Sequence, residues 1–111
     1  MGTQSDYREN EWLISMWNVG PNMMFIHAEK TYNSLSNHAN KLEAASIPFN
    51  AGLPVDLPLF GRIGPYMTKE VVGFAHLVGG QQSGNKTAMY VSASDYGGAV
   101  TIFTFGYIPI L

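Results

Sequence analysis

The chain has 111 residues, of which 46% are hydrophobic and only 13% are charged, and its formal net charge is −2. Its 6 Lys and Arg residues are too few and too scattered for a basic surface that binds nucleic acid, so we exclude that class of partner. Cysteine is absent, which excludes disulfides and thiolate metal sites, and no apolar run approaches the roughly 20 residues of a membrane span, so we expect no membrane insertion.

The first third of the chain predicts a leader and a hairpin. Residues 1–10 are polar, and we interpret them as a disordered leader or linker before a single domain at residues 11–111. Residues 11–18 alternate between two faces, one of which carries three large apolar side chains, so they predict a strand. A Val-Gly-Pro-Asn turn follows, and residues 23–32 alternate again. We expect these two strands to pair.

The middle of the chain is less regular. Residues 33–40 predict a polar loop, while residues 41–47 fit either a helical turn on propensity or a strand. Prolines and glycines punctuate residues 48–65, and since proline cannot donate to a ladder, they predict an extended connection or edge segment over the surface. Residues 68–78 are apolar on both faces and predict a central strand, and residues 79–85 predict a polar loop.

The last quarter of the chain predicts a β-hairpin. Residues 85–94 alternate, Asp95 to Gly98 favour a tight reversal, and the remaining residues are rich in β-branched and aromatic side chains. The apolar end predicts a C-terminus that packs in a core or a subunit interface. Short strands, glycine-rich turns and no convincing helix together predict an all-β fold, a small antiparallel β-sandwich or barrel. The low share of charged residues favours burial of surface against further copies of the chain.

No sequence motif for catalysis is present. No serine lies in a Gly-x-Ser-x-Gly elbow, no glycine-rich segment matches a phosphate loop, and the carboxylates show no paired arrangement, so we expect no enzyme and no cofactor. His27, His38 and His76 are far apart in sequence, which favours ordinary hydrogen-bonded or exposed histidines over metal ligands. The alternative is a trimer axis that gathers three copies of one histidine around an ion.

Aromatic residues make up 13% of the chain and are its most functional-looking feature. Saccharide sites place aromatic faces against the C–H side of a sugar ring and use Asn, Asp, Arg and His to bind its hydroxyls. By residue type and by position near strand ends and loops, we predict a saccharide site formed from Trp17, His38, Arg62, Tyr66, His76, Asp95 and Tyr96. The aromatic residues within the strands are expected simply to fill the core, namely Trp12, Phe25, Phe74, Tyr90, Phe103 and Phe105.

Three segments share their order with a known family. Residues 12–26 read as strand, Gly/Asn turn and apolar strand, and residues 47–55 read as a proline-containing connection. Residues 101–110 read as a closing strand with a Tyr-Ile pair, Tyr107-Ile108. Over residues 11–111 the chain therefore resembles the C-terminal head domain of bacteriophage tail-fibre and baseplate receptor-binding proteins. It departs from the family in the connection, where Gly-Leu-Pro stands in place of the usual Gly-Phe-Arg-Pro.

The resemblance implies a function as well as a fold. It implies a small β-sandwich that forms a homotrimer on the phage tail of the virion, in an extracellular setting. A host-cell saccharide would bind between neighbouring subunits or on their loops, and the resemblance transfers no individual site residue. Two alternatives stay open: a trimerisation or capping module of a fibre without its own ligand, and a non-catalytic fragment of a polysaccharide depolymerase.

Overall fold

A computed structural model describes residues 4–35, 42–80 and 86–110. Within these ranges the chain forms eight strands: β1 (Gln4–Glu9), β2 (Trp12–Gly20), β3 (Met23–Tyr32), β4 (Leu42–Ile47), β5 (Val55–Ile63), β6 (Tyr66–Gly80), β7 (Lys86–Ala93) and β8 (Val100–Pro109). They form one antiparallel sheet in the order β1-β2-β3-β8-β5-β6-β7-β4. The all-β antiparallel prediction is confirmed.

The sheet curls until its two ends approach each other. The backbone N–H of Ser46, on β4, donates to the Glu9 carboxylate, on β1, at 2.8 Å. The architecture is therefore a nearly closed, barrel-like sheet rather than two stacked sheets. Curling removes most of the exposed edge that an open sheet would leave.

The core lies inside this barrel and follows the two-residue period of the strands. Buried and more exposed residues alternate over most of β2 and β5 and over parts of β3, β7 and β8, while β7 and β8 each also contain three consecutive buried residues. The largest apolar side chains that are at most 1% exposed are Trp12, Ile14, Ile26, Leu35, Ile47, Leu59, Leu77, Met89, Ile102 and Ile108. Burying each such side chain contributes about 1.5–3 kcal/mol, so the core is the main stabilising term.

The segment between β4 and β5 crosses one end of the barrel. Thr87, which is fully buried, donates its hydroxyl to the Phe49 carbonyl at 2.6 Å and accepts the Ala51 N–H at 2.9 Å. The Gly52 N–H donates to the Pro109 carbonyl at 2.8 Å. These bonds satisfy backbone groups that would otherwise be costly to bury, so the predicted connection is ordered and covers the core.

Part of the predicted leader is a strand. Residues 4–9 form β1, which pairs with β2 across a two-residue turn at Asn10 and Glu11, so the disordered assignment is wrong for them. The reason is that β1 is polar and mostly exposed, with Tyr7 alone packing against the core. A strand held mainly by backbone pairing leaves no apolar period in the sequence.

The proline-rich segment contains a central strand. β5 lies between β8 and β6, so the prediction of an edge or connection is wrong for residues 55–63. Proline is tolerated because the register between β5 and β8 covers only Phe60 to Arg62, and the Pro58 carbonyl instead accepts the Thr104 hydroxyl at 2.8 Å. The ambiguous segment at 41–47 forms a strand rather than a helical turn over its described part, β4.

The predicted terminal hairpin is also wrong. β7 lies between β6 and β4, whereas β8 lies between β3 and β5, and the two strands do not pair. The reversal after β7 is instead fixed by Tyr96, whose backbone N–H and carbonyl bond with those of Leu35 at 2.8 and 2.9 Å. β8 pairs with all ten residues of β3, from Met23 to Tyr32.

Other predictions agree with the structure. β3 has the predicted bounds, the predicted first strand falls within β2 apart from its first residue, and β6 is central as expected. Ile108 is fully buried, which confirms a packed C-terminal strand. Residues 36–41 and 81–85, which hold His38 and most of the predicted polar loops, lie outside the described residues, as does Leu111.

Candidate functional site

Outward-facing rings on β2, β3, β8 and β5 form a continuous cluster. We call it the aromatic face, and it comprises Trp17, Phe25, Phe60, Phe103, Phe105 and Tyr107. Ring centroids of Phe25 lie 5.6 Å from Trp17 and 5.1 Å from Tyr107. Those of Phe60 lie 5.6 Å from Phe103 and 5.8 Å from Phe105.

The strand register produces this cluster. Directly paired residues of antiparallel strands share a face, and Phe25 pairs with both Trp17 and Tyr107. Phe103 pairs with Phe60 in the same way. Because the core face of each strand carries the alternate residues, all six rings lie on the outside of the barrel.

Exposure differs along the aromatic face. Tyr107 is 63% exposed and Phe105 is 44% exposed, whereas Phe103 is only 6% exposed, because neighbouring rings cover it, including His27 at 6.1 Å. Phe74, on β6 opposite Pro58, is 56% exposed and extends the apolar surface by one strand. A contiguous apolar surface of this kind marks a contact with a ligand or another protein.

An Arg–Glu ion pair and a His–Asp contact flank the aromatic residues along β5. Arg62 lies 3.5 Å from the Glu29 carboxylate, and its guanidinium lies 5.7 Å from the Phe103 ring centroid. At the other end of β5, the Asp56 carboxylate contacts the His76 imidazole. Both pairs are partly exposed and add little to stability, so their main effect is to place an acid and a base at each end of an apolar surface.

A shallow cleft of about 200 Å³ lies elsewhere, lined by Ser5, Asp6, Met16, Asn18, Met24 and Pro48. The Asp6 carboxylate accepts hydrogen bonds from Gln4 at 2.9 Å and Ser15 at 3.0 Å, which hold the pKa of Asp6 below its usual value. It is therefore ionised at neutral pH and suits no general-acid role.

The described residues also contain no group of three or more His, Cys, Asp or Glu that could hold a metal ion.

The predicted site residues do not come together. Trp17 belongs to the aromatic face and Arg62 lies beside it, while His76 lies on the outer face of β6. Tyr66, 76% exposed, follows the β5–β6 turn. Asp95 and Tyr96 lie in the β7–β8 connection, and His38 lies outside the described residues.

The expectation that aromatic residues within strands fill the core is confirmed for the buried Trp12 and Phe103 but is wrong for Phe25, Phe74 and Phe105, so it missed most of the exposed part of the aromatic face. The sequence of β3 did contain an indication: Phe25 lies on the same face of the strand as the polar residues His27 and Glu29, and a face with polar residues is expected to point outward. In β8, the exposed Phe105 and Tyr107 likewise alternate with the buried Thr104 and Ile108.

No helix among the described residues is long and apolar enough to cross a bilayer. Comparisons with protein families, with curated proteins and with solved structures gave no match. The relation to phage head domains therefore remains a prediction, and the aromatic face is the feature on which a functional proposal can rest.

Proposed function

We propose that this chain is the host-receptor-binding head domain of a bacteriophage tail fibre or baseplate protein. It forms a homotrimer on the virion and binds a cell-surface saccharide without acting on it chemically. The observation that carries the proposal is the row of rings formed by Trp17, Phe25 and Tyr107 on three adjacent strands.

This row has the chemistry of a saccharide platform. The three rings offer apolar surface for the C–H side of a sugar, and adjacent rings lie 5.1 and 5.6 Å apart, so a short oligosaccharide can contact all of them. The Tyr107 hydroxyl and the Trp17 indole N–H add hydrogen-bonding groups at the same place.

The expected affinity is modest. A flat surface buries little area, and each hydroxyl gives up bound water, so one site should bind with a dissociation constant of about 0.1–1 mM. Several sites on one virion would supply the remaining strength through avidity.

The first test is a screen of the purified chain on an array of bacterial cell-surface glycans, followed by titration of the best glycan. Fluorescence gives a local readout, since Trp12 is 1% exposed and a collisional quencher reaches mainly Trp17, which is partly exposed. Bound glycan should protect Trp17 from quenching. Release of reducing sugar from the same polysaccharide would instead identify a depolymerase and contradict the proposal.

Single tyrosine variants locate the site. Tyr107→Ala should weaken binding about tenfold, equal to about 1.4 kcal/mol, with an unchanged thermal transition, because the side chain is 63% exposed. Tyr66→Ala and Tyr96→Ala are the matched comparisons outside the aromatic face. If they weaken binding and Tyr107→Ala does not, the site lies on the loops, as the sequence predicted.

A further inference from the structure

We infer that a second copy of this chain docks on the phenylalanine-rich part of the outer surface, formed by Phe60, Phe105 and Phe74, with the buried Phe103 packed against the first two. We call this surface the phenylalanine patch. The inference rests on the homotrimer of the proposed function but not on its saccharide. It names the surface through which the copies meet.

The first argument is area. An aromatic side chain contributes about 150–250 Å² when buried. Phe74, 56% exposed, and Phe105, 44% exposed, therefore offer on the order of 200 Å² of apolar surface between them. A standard interface takes about 800 Å² from each partner, of which somewhat more than half is non-polar. With half-buried Phe60 and Pro58 continuing the same surface, the patch supplies a large share of that apolar area.

The second argument is charge. The patch is flanked along β5 by Asp56 with His76 at one end and by Arg62 with Glu29 at the other. Each end carries an acid and a base. If one end of the patch meets the opposite end of the neighbouring copy, Arg62 can approach a carboxylate of that copy without a clash of like charges. Such a head-to-tail contact closes into a ring when the rotation permits, as a trimer requires.

The third argument is what this part of the surface lacks. Phenylalanine has no hydrogen-bonding group, in contrast to the tyrosine and tryptophan of the neighbouring row. Water therefore solvates the patch poorly, and its contact with a second apolar surface is favoured. A copy of the same chain presents an equal patch at the same concentration and in the same compartment.

Molar mass in solution tests the inference. At about 100 μM, a concentration at which even a micromolar association is nearly complete, light scattering should give a multiple of 12.2 kDa for the unchanged chain. Phe105→Asp and Phe74→Asp should each weaken the association at least about 100-fold, so at the same concentration the mean mass should fall well towards 12.2 kDa. Tyr66→Asp is the matched control on an exposed aromatic outside the patch, and it should associate as the unchanged chain does.

A second measurement needs no variant and guards against a failure to fold. In hydroxyl-radical footprinting of the unchanged chain, oxidation of Phe74 and Phe105 should fall as the concentration rises from about 1 to 100 μM, while oxidation of Tyr66 stays constant. A monomer at the higher concentration, folded aspartate variants that still associate, or unchanged oxidation of Phe74 and Phe105 would each overturn the inference.

The same samples separate this inference from the saccharide. A monomeric Phe105→Asp that binds glycan through Tyr107 supports both the interface and the saccharide site. An unchanged chain that associates through the patch but binds no glycan supports the interface and refutes the saccharide, which leaves the structural fibre module as the function.

Discussion

Replacing Glu11 with glycine should stabilise the domain. Asn10 and Glu11 form the β1–β2 turn with φ of 52° and 68°, between the paired residues Glu9 and Trp12. Two residues with positive φ characterise the type I′ turn, for which Asn-Gly is the favoured pair. A residue with a Cβ pays about 1–2 kcal/mol in this conformation. Glycine also makes the unfolded chain more flexible, which lowers the free energy of unfolding by about 0.5–1 kcal/mol. The net increase in the free energy of unfolding should therefore be about 0.5–1 kcal/mol.

Thermal unfolding at one fixed protein concentration measures the effect. The expected rise in Tm is about 2–6 °C for a domain of this size. Glu11→Ala removes the same charge but keeps the Cβ, so it should bring no comparable rise. Gly64→Ala is the reverse control: Gly64 has φ 56° and an added Cβ would meet no atom within 4 Å, so the variant should lose about 1 kcal/mol from backbone strain alone. If Glu11→Gly leaves the Tm unchanged, or if Glu11→Ala raises it by the same amount, this account of the turn is refuted.

Two further predictions concern stability. Burial, and secondly the nearby Glu11 charge, raise the pKa of Tyr32 in the folded protein. The contribution of Tyr32 to the free energy of unfolding is therefore fully present below the unfolded pKa of about 10, and it is lost as pH rises through the folded pKa. Urea unfolding at pH 9 and 11 should show a steeper loss for the unchanged chain than for Tyr32→Phe, and equal losses would contradict it. Ile108→Ala should cost about 2–5 kcal/mol in urea unfolding, because Ile108 is fully buried within one copy. A cost below about 1 kcal/mol would show that the site collapses around the smaller residue.

The sequence predicted where the strands lie in the chain better than it predicted which strands pair with each other. Alternation over residues 23–32 gave β3 its bounds, and Trp12, Ile14 and Met16 lie on the core face as expected. Pairing is a different matter, because it joins residues far apart in the chain. Residues 85–111 contain two strands and a reversal, which is the pattern of a hairpin, yet β8 pairs with β3 and β5 instead. Nothing in the local period of β8 distinguishes these partners.

The candidate site escaped prediction for a related reason. A phenylalanine within a strand suits either face of a sheet, so residue type alone could not separate core rings from surface rings. The prediction therefore favoured aromatics near turns, such as Tyr66 and Tyr96. Phe25 is separated by two and four residues from the polar His27 and Glu29, so the strand period places it on the same outer face. The contact of Phe60 with Phe103, in contrast, depends on the long-range pairing of β5 with β8. Trp17 was predicted because it lies near the end of its strand, and Arg62 because its charge suits hydroxyls.

β8 connects the two proposals physically. Phe105 and Tyr107 lie two residues apart on the same face of this strand, and Phe25 contacts both rings, with centroids at 6.5 and 5.1 Å. A copy seated against Phe105 would therefore restrict the rings that a saccharide meets at Tyr107. Ordering a contact surface before the ligand arrives lowers the entropy cost of binding. By linkage, glycan binding would then favour association to the same extent that association favours glycan binding. A saccharide row beside a subunit contact is thus a consistent arrangement, because each half of the surface pre-organises the other.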